Sequence, residues 1–334
     1  MRIKLLTLLL ISLLILSCKL SDFIGDDIYP DDIDCFEFVH NAPVYSNALS
    51  SHLTYPYLFV ADGNARLTVF DIMVPWSFNS ISTVDLQSQV YSHIYEMDRD
   101  SRNVLYAAMG TSGLYSFNTS FPYTVEIQSF KRDVYAKSVS IDEGNYFGDL
   151  LAVCGDNFWK VYEIIGSGQI FELSGVSSVN DRQYKKVHLK YPFLYLASTS
   201  ALDIYDISNP SNPHLASTEI LYDFKQFQFI GDRLIVMTNG NLYFYNISNP
   251  YSIGRIATYA FNLIPSTFYF QDGTLLVAYN NKKLSCYTIS SQYNINHVSS
   301  TELNYFINDI EYYNEYYYLS CGNYGIANMK INMF

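Results

Sequence analysis

The sequence predicts an all-β fold, a seven-bladed β-propeller built from four-stranded antiparallel blades, and three observations lead there. The first is a repeat. Two strands, Tyr57-Leu-Phe-Val-Ala61 and Leu67-Thr-Val-Phe-Asp-Ile72, set a pattern that recurs with first core residues at Leu58, Leu105, Leu150, Leu194, Leu234, Leu275 and Tyr317. Spacings of 40 to 47 residues match one propeller blade per copy. The second is composition: 17% of the 334 residues are aromatic, with 32 Tyr and 22 Phe, types that fit a pleated, half-buried sheet surface. The third is punctuation. Residues that tolerate positive φ fall between the second and third strands of the copies, as in Asp62-Gly-Asn64, Gly110-Thr-Ser-Gly113, Gly155-Asp-Asn157, Asn239-Gly-Asn241 and Gly322-Asn323, which is hairpin chemistry. Length alone would allow two domains, but the repeat makes one large unit of the chain.

Taken in order, the chain opens with an address. Arg2 and Lys4 precede an apolar stretch from Leu5 to Leu16, shorter than the roughly 20 apolar residues of a spanning helix and of the length of a signal-peptide core. Residues 1–17 therefore read as a signal peptide. Residues 18–34 read as an acidic tether, in which Asp22, Asp26, Asp27, Asp31, Asp32 and Asp34 repel one another and keep the segment extended. A single propeller domain is expected over residues 35–334. Unit four shows the blade plan most clearly, with strands from Lys186 to Lys190, Phe193 to Ala197, Leu202 to Ile207 and Leu215 to Ile220. A turn such as Asp206-Ile-Ser-Asn-Pro210 or Asn246-Ile-Ser-Asn-Pro250 follows the third strand, where Asp or Asn holds the turn backbone and Pro stops further pairing. Unit seven supplies only three strands, from Ile307 to Tyr312, Tyr316 to Ser320 and Ile326 to Lys330. Phe36-Glu-Phe-Val-His40 is expected to complete it by pairing with Ile326 to Ile331, so that the N-terminal strand closes the last blade and removes an exposed edge.

These residues carry a family resemblance. The run Leu202-Asp-Ile-Tyr-Asp-Ile-Ser-Asn-Pro210, after a Tyr/Leu-rich strand and a short turn, resembles the LVIVD repeat of bacterial surface propellers over about residues 45 to 331, with units four and five the nearest copies. In that family the motif is structural. The resemblance implies a propeller in a cell-envelope setting and brings no catalytic residue. Likewise Ile15-Leu16-Ser17-Cys18 resembles a bacterial lipobox, which implies cleavage before Cys18 and lipid on that residue. Several acyl chains would anchor the protein stably, at about 0.8 kcal/mol per buried methylene. Lys19 stands where an Asp retains lipoproteins at the inner membrane in some bacteria, so the outer membrane or cell surface is the expected location.

Charge narrows the partners. A net charge of −12 repels a phosphate backbone, and nucleic acid is not expected. No nucleophile elbow, zinc-protease helix, P-loop, dinucleotide fingerprint or calcium loop occurs, so neither a cofactor nor a metal is expected. Carboxylate pairs such as Glu96 with Asp98 and Asp142 with Glu143 are placed in connections between first and second strands. Cys35, Cys154, Cys286 and Cys321 form no metal-spaced pair and read as small core residues. His52 and His188 echo each other in His52-Leu-Thr-Tyr-Pro56 and His188-Leu-Lys-Tyr-Pro192; both are expected near the channel, at a position that is polar in several units.

Ligands of propellers usually meet the face made by blade links and by turns between second and third strands. Here the turns offer Arg66, Trp159, Lys160, Lys282, Lys283 and Tyr324, and the links add Asp133, Asp181, Arg182 and Asp223. Trp159 is the best single hot-spot candidate; the alternative is that it begins the third strand and packs between blades. The functional expectation is a non-catalytic, monomeric binding or scaffolding module of the envelope that contacts a protein or glycan. The alternative is a propeller hydrolase or lyase acting on sugars or lactones, with a metal in the channel. That enzyme needs convergent charged groups on channel positions expected to hold mostly Phe, Tyr, Ser and Gln. Replacing the lipid-bearing residue tests the anchor: Cys18→Ala should move the protein from the membrane to the soluble fraction on cell fractionation, and continued membrane retention contradicts lipidation.

Overall fold

The computed structural model describes residues 35–63, 65–86, 92–177 and 182–332, and every regular element among them is a β-strand. The signal peptide, Cys18 and the tether lie outside the described residues, as do Asn64 and Asp181. Seven four-stranded antiparallel sheets form the blades. Blade four runs Tyr184–Lys190, Phe193–Ser198, Ala201–Asp206 and His214–Ile220, close to the expected strands. Blade seven combines Asp309–Tyr313, Tyr316–Ser320 and Ile326–Ile331 with Phe36–Ala42 from the other end of the domain. Phe36 pairs with Ile331 and Ala42 with Ile326. Gly325 permits the join, because its φ is +94° and a Cβ there would collide with the Ala42 carbonyl, a place that only glycine fills without strain.

Side-chain alternation along each second strand divides the core into layers between blades. Leu194 and Leu196 pack back on blade three with Ala152 and Val161. Tyr195 and Ala197 pack forward on blade five with Leu234 and Val236. Each fully buried leucine contributes about 1.5–3 kcal/mol, so every layer stabilises two blades at once. Blade three departs from the expected phase by one residue. Leu151 faces the preceding blade, whereas Leu150 faces the following one. Two adjacent leucines hide the phase in the sequence, and with a period of two a slip of one residue exchanges the faces. Cys35, Cys154, Cys286 and Cys321 are buried thiols, and none is in a disulfide among the described residues.

The inner strand of each blade is an edge. Its second-strand side is paired, and alternate N–H groups on its other side need acceptors. Among the described residues, side chains of the preceding blade supply them at four of the seven junctions, in a fixed register. Asp98 accepts from the Ile141 N–H at 2.7 Å, and the Ser138 and Ser140 hydroxyls accept from Val187 and Leu189 at 2.9 and 3.0 Å. The Gln226 and Gln228 amide oxygens accept from Phe268 and Phe270 at 3.1 and 2.8 Å. Asp309 accepts from Ser51 at 2.8 Å, across the junction between blades seven and one. The donor positions are equivalent in every case: they face the first or third residue of the second-strand core.

Candidate functional site: the channel and the upper face

Three stacked rings of side chains line the central channel, a cavity of about 730 Å³. The rim ring is Leu49, Tyr95, Lys137, Lys185, Lys225, Ser266 and Asn308. Register shifts in blades one, four, five and six mark a β-bulge at this place. In blades two, three and seven, Tyr95, Lys137 and Asn308 occupy it, each donating its N–H at 2.8 Å to the carbonyl of the residue that pairs with the next position. The bulge turns one extra side chain of each blade toward the rim. Below it, Ser50, Glu96, Lys186, Gln226, Thr267 and Asp309 line a second ring, and His52, Asp98, Ser140, His188, Gln228, Tyr269 and Glu311 a third.

Two sequence expectations change here. Glu96 and Asp98 belong to the inner strand Glu96–Arg99, and Asp142 and Glu143 to Ser138–Asn145, not to connections. The channel is also more charged than the expected Phe, Tyr, Ser and Gln. Blade two has a short inner strand followed by a polar turn, so its alternation was too brief to separate strand from connection.

Burial dominates the electrostatics of the deeper rings. It pushes the Asp98 carboxyl up to about 7, although the Ile141 and Arg99 N–H groups and Lys186 oppose that rise. Asp309 is raised by burial, and Glu311 is carried well above the usual carboxylate range by burial and by Asp309 beside it. The side chain of Asp98 keeps 28% exposure to the lumen, but the enclosing walls leave few waters to solvate its charge. Lys186 donates to the Glu96 carboxylate; burial opposes its charge, yet Glu96, Asp309 and Glu311 together hold it above the ordinary lysine value. His52 is pushed down to about 4 by burial and by Arg99. His188 falls to about 4 through burial, Lys186 and Lys190. Both are therefore neutral at pH 7.

The two histidines stand three blades apart, on different walls. His188 stacks on Phe229 at 4.0 Å, and His52 meets Thr54 at 3.1 Å and lies 4.0 Å from Asp98. Among the described residues no group of three His, Cys, Asp or Glu side chains is placed to hold a metal ion. Asp98 and Asp309 serve the neighbouring backbone, and Glu96 serves Lys186.

The predicted surface residues separate into three groups. Trp159 corrects the hot-spot expectation: it is 0% exposed, packed with Leu150, Val161 and Leu196 and tilted on Tyr205 at 4.8 Å. Its position on the strand Phe158–Ile165 points it between blades. Lys160 and Arg66 are held within their blades, Lys160 by Glu172 at 2.8 Å and Asp133 at 3.8 Å, Arg66 by Asp85 at 3.0 Å and by the Tyr45 ring. Arg182 pairs with Asp203 at 3.3 Å, Lys283 opens the strand Lys283–Ile289, and Asp223 is an exposed link residue with φ +56°.

Lys282 and Tyr324 do come together. They line an upper-face cleft of about 540 Å³ with Asn304, Tyr305, Phe306 and Asn323, built from the turns of blades six and seven and the link between those blades. Tyr305 and Tyr324 stack at 4.2 Å with their planes 16° apart. Lys282 lies 5.1 Å from the Phe306 ring centre and donates to the Asn304 carbonyl at 3.2 Å. Phe306 and Tyr324 remain 49% and 46% exposed. Among the described residues, the side-chain amides of Asn304 and Asn323 make no hydrogen bond within the protein. The sequence signal was the run Asn304-Tyr-Phe306, aromatic residues placed in a blade link.

Residues 56–85 and 182–218 match the LVIVD repeat, in blades one and four. No curated protein sequence matches the chain. Among solved structures, the fold is similar to the WD40 repeats of RRP9 at 8% identity, covering 89% of this chain and 97% of that one with a TM-score of 0.69. The WD40 domain of Pan2 from Neurospora crassa is similar at 9% identity over 91% and 99% of the two chains, with a TM-score of 0.69. A protein from Lactobacillus plantarum is similar at 12% identity over 76% and 84%, with a TM-score of 0.64. At these identities the likeness is one of fold.

The raised Asp98 carboxyl carries a pH signature. A carboxyl with a raised folded-state pKa contributes stability below its unfolded value near 4, and that contribution is lost as pH rises through about 7. Asp98→Asn keeps an oxygen for the Ile141 N–H and removes the titration. The melting temperature of the variant relative to the parent should rise as pH goes from 4 to 8. A constant difference across that range contradicts the burial argument.

Proposed function

We propose that the chain is a non-catalytic binding module of the bacterial envelope, held through lipid on Cys18, that captures a glycan in the upper-face cleft of blades six and seven. One observation carries this reading: Phe306 and the Tyr305–Tyr324 stack present exposed aromatic surface beside the unbonded amides of Asn304 and Asn323. Pyranose rings offer C–H groups on one side and paired hydroxyls at the rim. Aromatic faces carry negative charge density that receives the former, and a side-chain amide both donates to and accepts from the latter. Asp98, Asp309, Glu96 and His188 of the channel favour this reading over a propeller hydrolase or lyase, because the backbone, Lys186 and Phe229 engage them.

The N-terminal end of the propeller domain fits the same arrangement. Phe36 pairs with Ile331 at the end of blade seven away from the cleft, and the turns of that opposite face expose Trp76, Phe121, Tyr123 and Tyr146. Such side chains sit well at a membrane interface. The cleft then faces away from the anchoring membrane, on the outer membrane or cell surface, and a monomer suffices. Phe306→Ala and Tyr324→Ala should each weaken capture on an envelope-glycan array by about 1–2 kcal/mol, as loss of an aromatic contact does, with the melting temperature unchanged. Unchanged glycan capture by both folded variants, or capture of protein alone, contradicts the reading.

A further inference from the structure

We propose that the rim of the channel binds an oxyanion group, a carboxylate or a phosphate, through Lys137, Lys185 and Lys225. This goes beyond the glycan cleft and stands on blades three to five; the cleft of blades six and seven shares only the rim residues Leu49 and Asn308 with it. The three lysines occupy one structural position, the bulged rim residue, in three consecutive blades. The remaining rim residues, Leu49, Tyr95, Ser266 and Asn308, are uncharged, so positive charge is confined to one arc. That arc arises in a chain with 32 acidic and 20 basic residues, where a lysine has many carboxylates available as neighbours.

Only part of the arc is neutralised. Lys137 pairs with Asp156 at 2.6 Å; among the described residues, neither Lys185 nor Lys225 has a carboxylate within 4.0 Å. Gathered ammonium groups disfavour one another's charge. Lys185 shows the effect: burial, then Lys225 and Lys137, draws its pKa below the ordinary lysine value. An anion seated among them converts that repulsion into charge-assisted hydrogen bonds. Gln226 adds a neutral donor beside Lys225. Its amide oxygen is already taken by Thr267 at 2.7 Å and Phe268 at 3.1 Å, which leaves its NH₂ group without an acceptor among the described residues.

The floor of the channel limits how deep the anion sits. Glu96 neutralises Lys186, and burial moves Asp98 and Glu311 toward their uncharged forms. The deeper rings therefore offer no net attraction to an anion, and the group stays at the rim, as a free small anion or as a pendant group of an envelope polymer.

Titration calorimetry tests this with the full chain, Lys185→Met/Lys225→Met and, as a control on the opposite face, Lys190→Met. The probes are inorganic phosphate, citrate and a uronate-bearing polysaccharide. The parent should bind at least one probe saturably and less tightly as salt is raised; the double variant should bind about tenfold or more weakly, the loss of at least one charged contact, and Lys190→Met should match the parent. The double variant should melt no lower than the parent, because repulsion is relieved, and this verifies its fold. Binding of phosphate or citrate identifies a free anion as ligand, and binding of the polysaccharide alone identifies a pendant group. No saturable binding of any probe, or equal binding by parent and double variant, overturns the proposal. Phe306→Ala should leave this binding intact, so the cleft and the rim fail separately.

Discussion

Every inner strand of a propeller has an unpaired side, and burying that side near the channel is tolerable only if its N–H groups find acceptors. An orphaned buried N–H costs about 1–3 kcal/mol, and seven edges repeat the demand. At four of the seven junctions the solution takes one register. A polar side chain on one inner strand accepts from the backbone of the next, as Ser138 and Ser140 do for Val187 and Leu189 and as Gln226 and Gln228 do for Phe268 and Phe270. The apolar layers between second strands hold neighbouring blades together but are non-directional. These side-chain to backbone bonds fix the height at which one blade meets the next, and thereby the stacking of the rings in the channel.

The same constraint accounts for most of the polar chemistry of the channel. Carboxyls and amides are there because the edges require acceptors, and their altered proton affinities follow from burial. A channel containing Asp98, Asp309, Glu311, His52 and His188 resembles an active site by composition. In the structure Asp98 and Asp309 reach neighbouring N–H groups and His188 lies flat on Phe229. The rim and the upper-face cleft differ, because Lys185, Lys225, Asn304 and Asn323 have polar groups without a partner among the described residues. The proposed binding functions use those positions for that reason.

Much of the architecture was legible in the sequence, because blade spacing, strand alternation and turn residues are local signals that repeat. The phase of blade three was not, since Leu150-Leu151 satisfies either face. Arg66 and Lys160 were placed on the candidate binding face from their turns, but their partners Asp85 and Glu172 lie on adjacent strands and come into view only once those strands pair. For Trp159 the hot-spot and packing readings both stood open for a related reason. Its neighbours Asn157 and Lys160 suggest a turn, whereas alternation from Phe158 onward sends its ring inward. The lysine arc was invisible because a bulge breaks the period of two at the residue that carries each lysine. Lys282 and Tyr324 could be named singly, and the fold supplied Asn304, Tyr305, Phe306 and Asn323 around them.

The most direct measurement is residue-resolved hydrogen exchange on the inner strands. The amides of Ile141, Val187, Leu189, Phe268 and Phe270 have side-chain acceptors from the preceding blade. At the equivalent places in blade five, Phe227 and Phe229 follow Lys186 and His188, and no such acceptor is found among the described residues. If acceptors from neighbouring blades hold the edges, the first group should exchange more slowly than Phe227 and Phe229 by about tenfold or more, the signature of a more costly local opening. Equal protection of both groups would show that packing alone holds the edges, and would contradict the account.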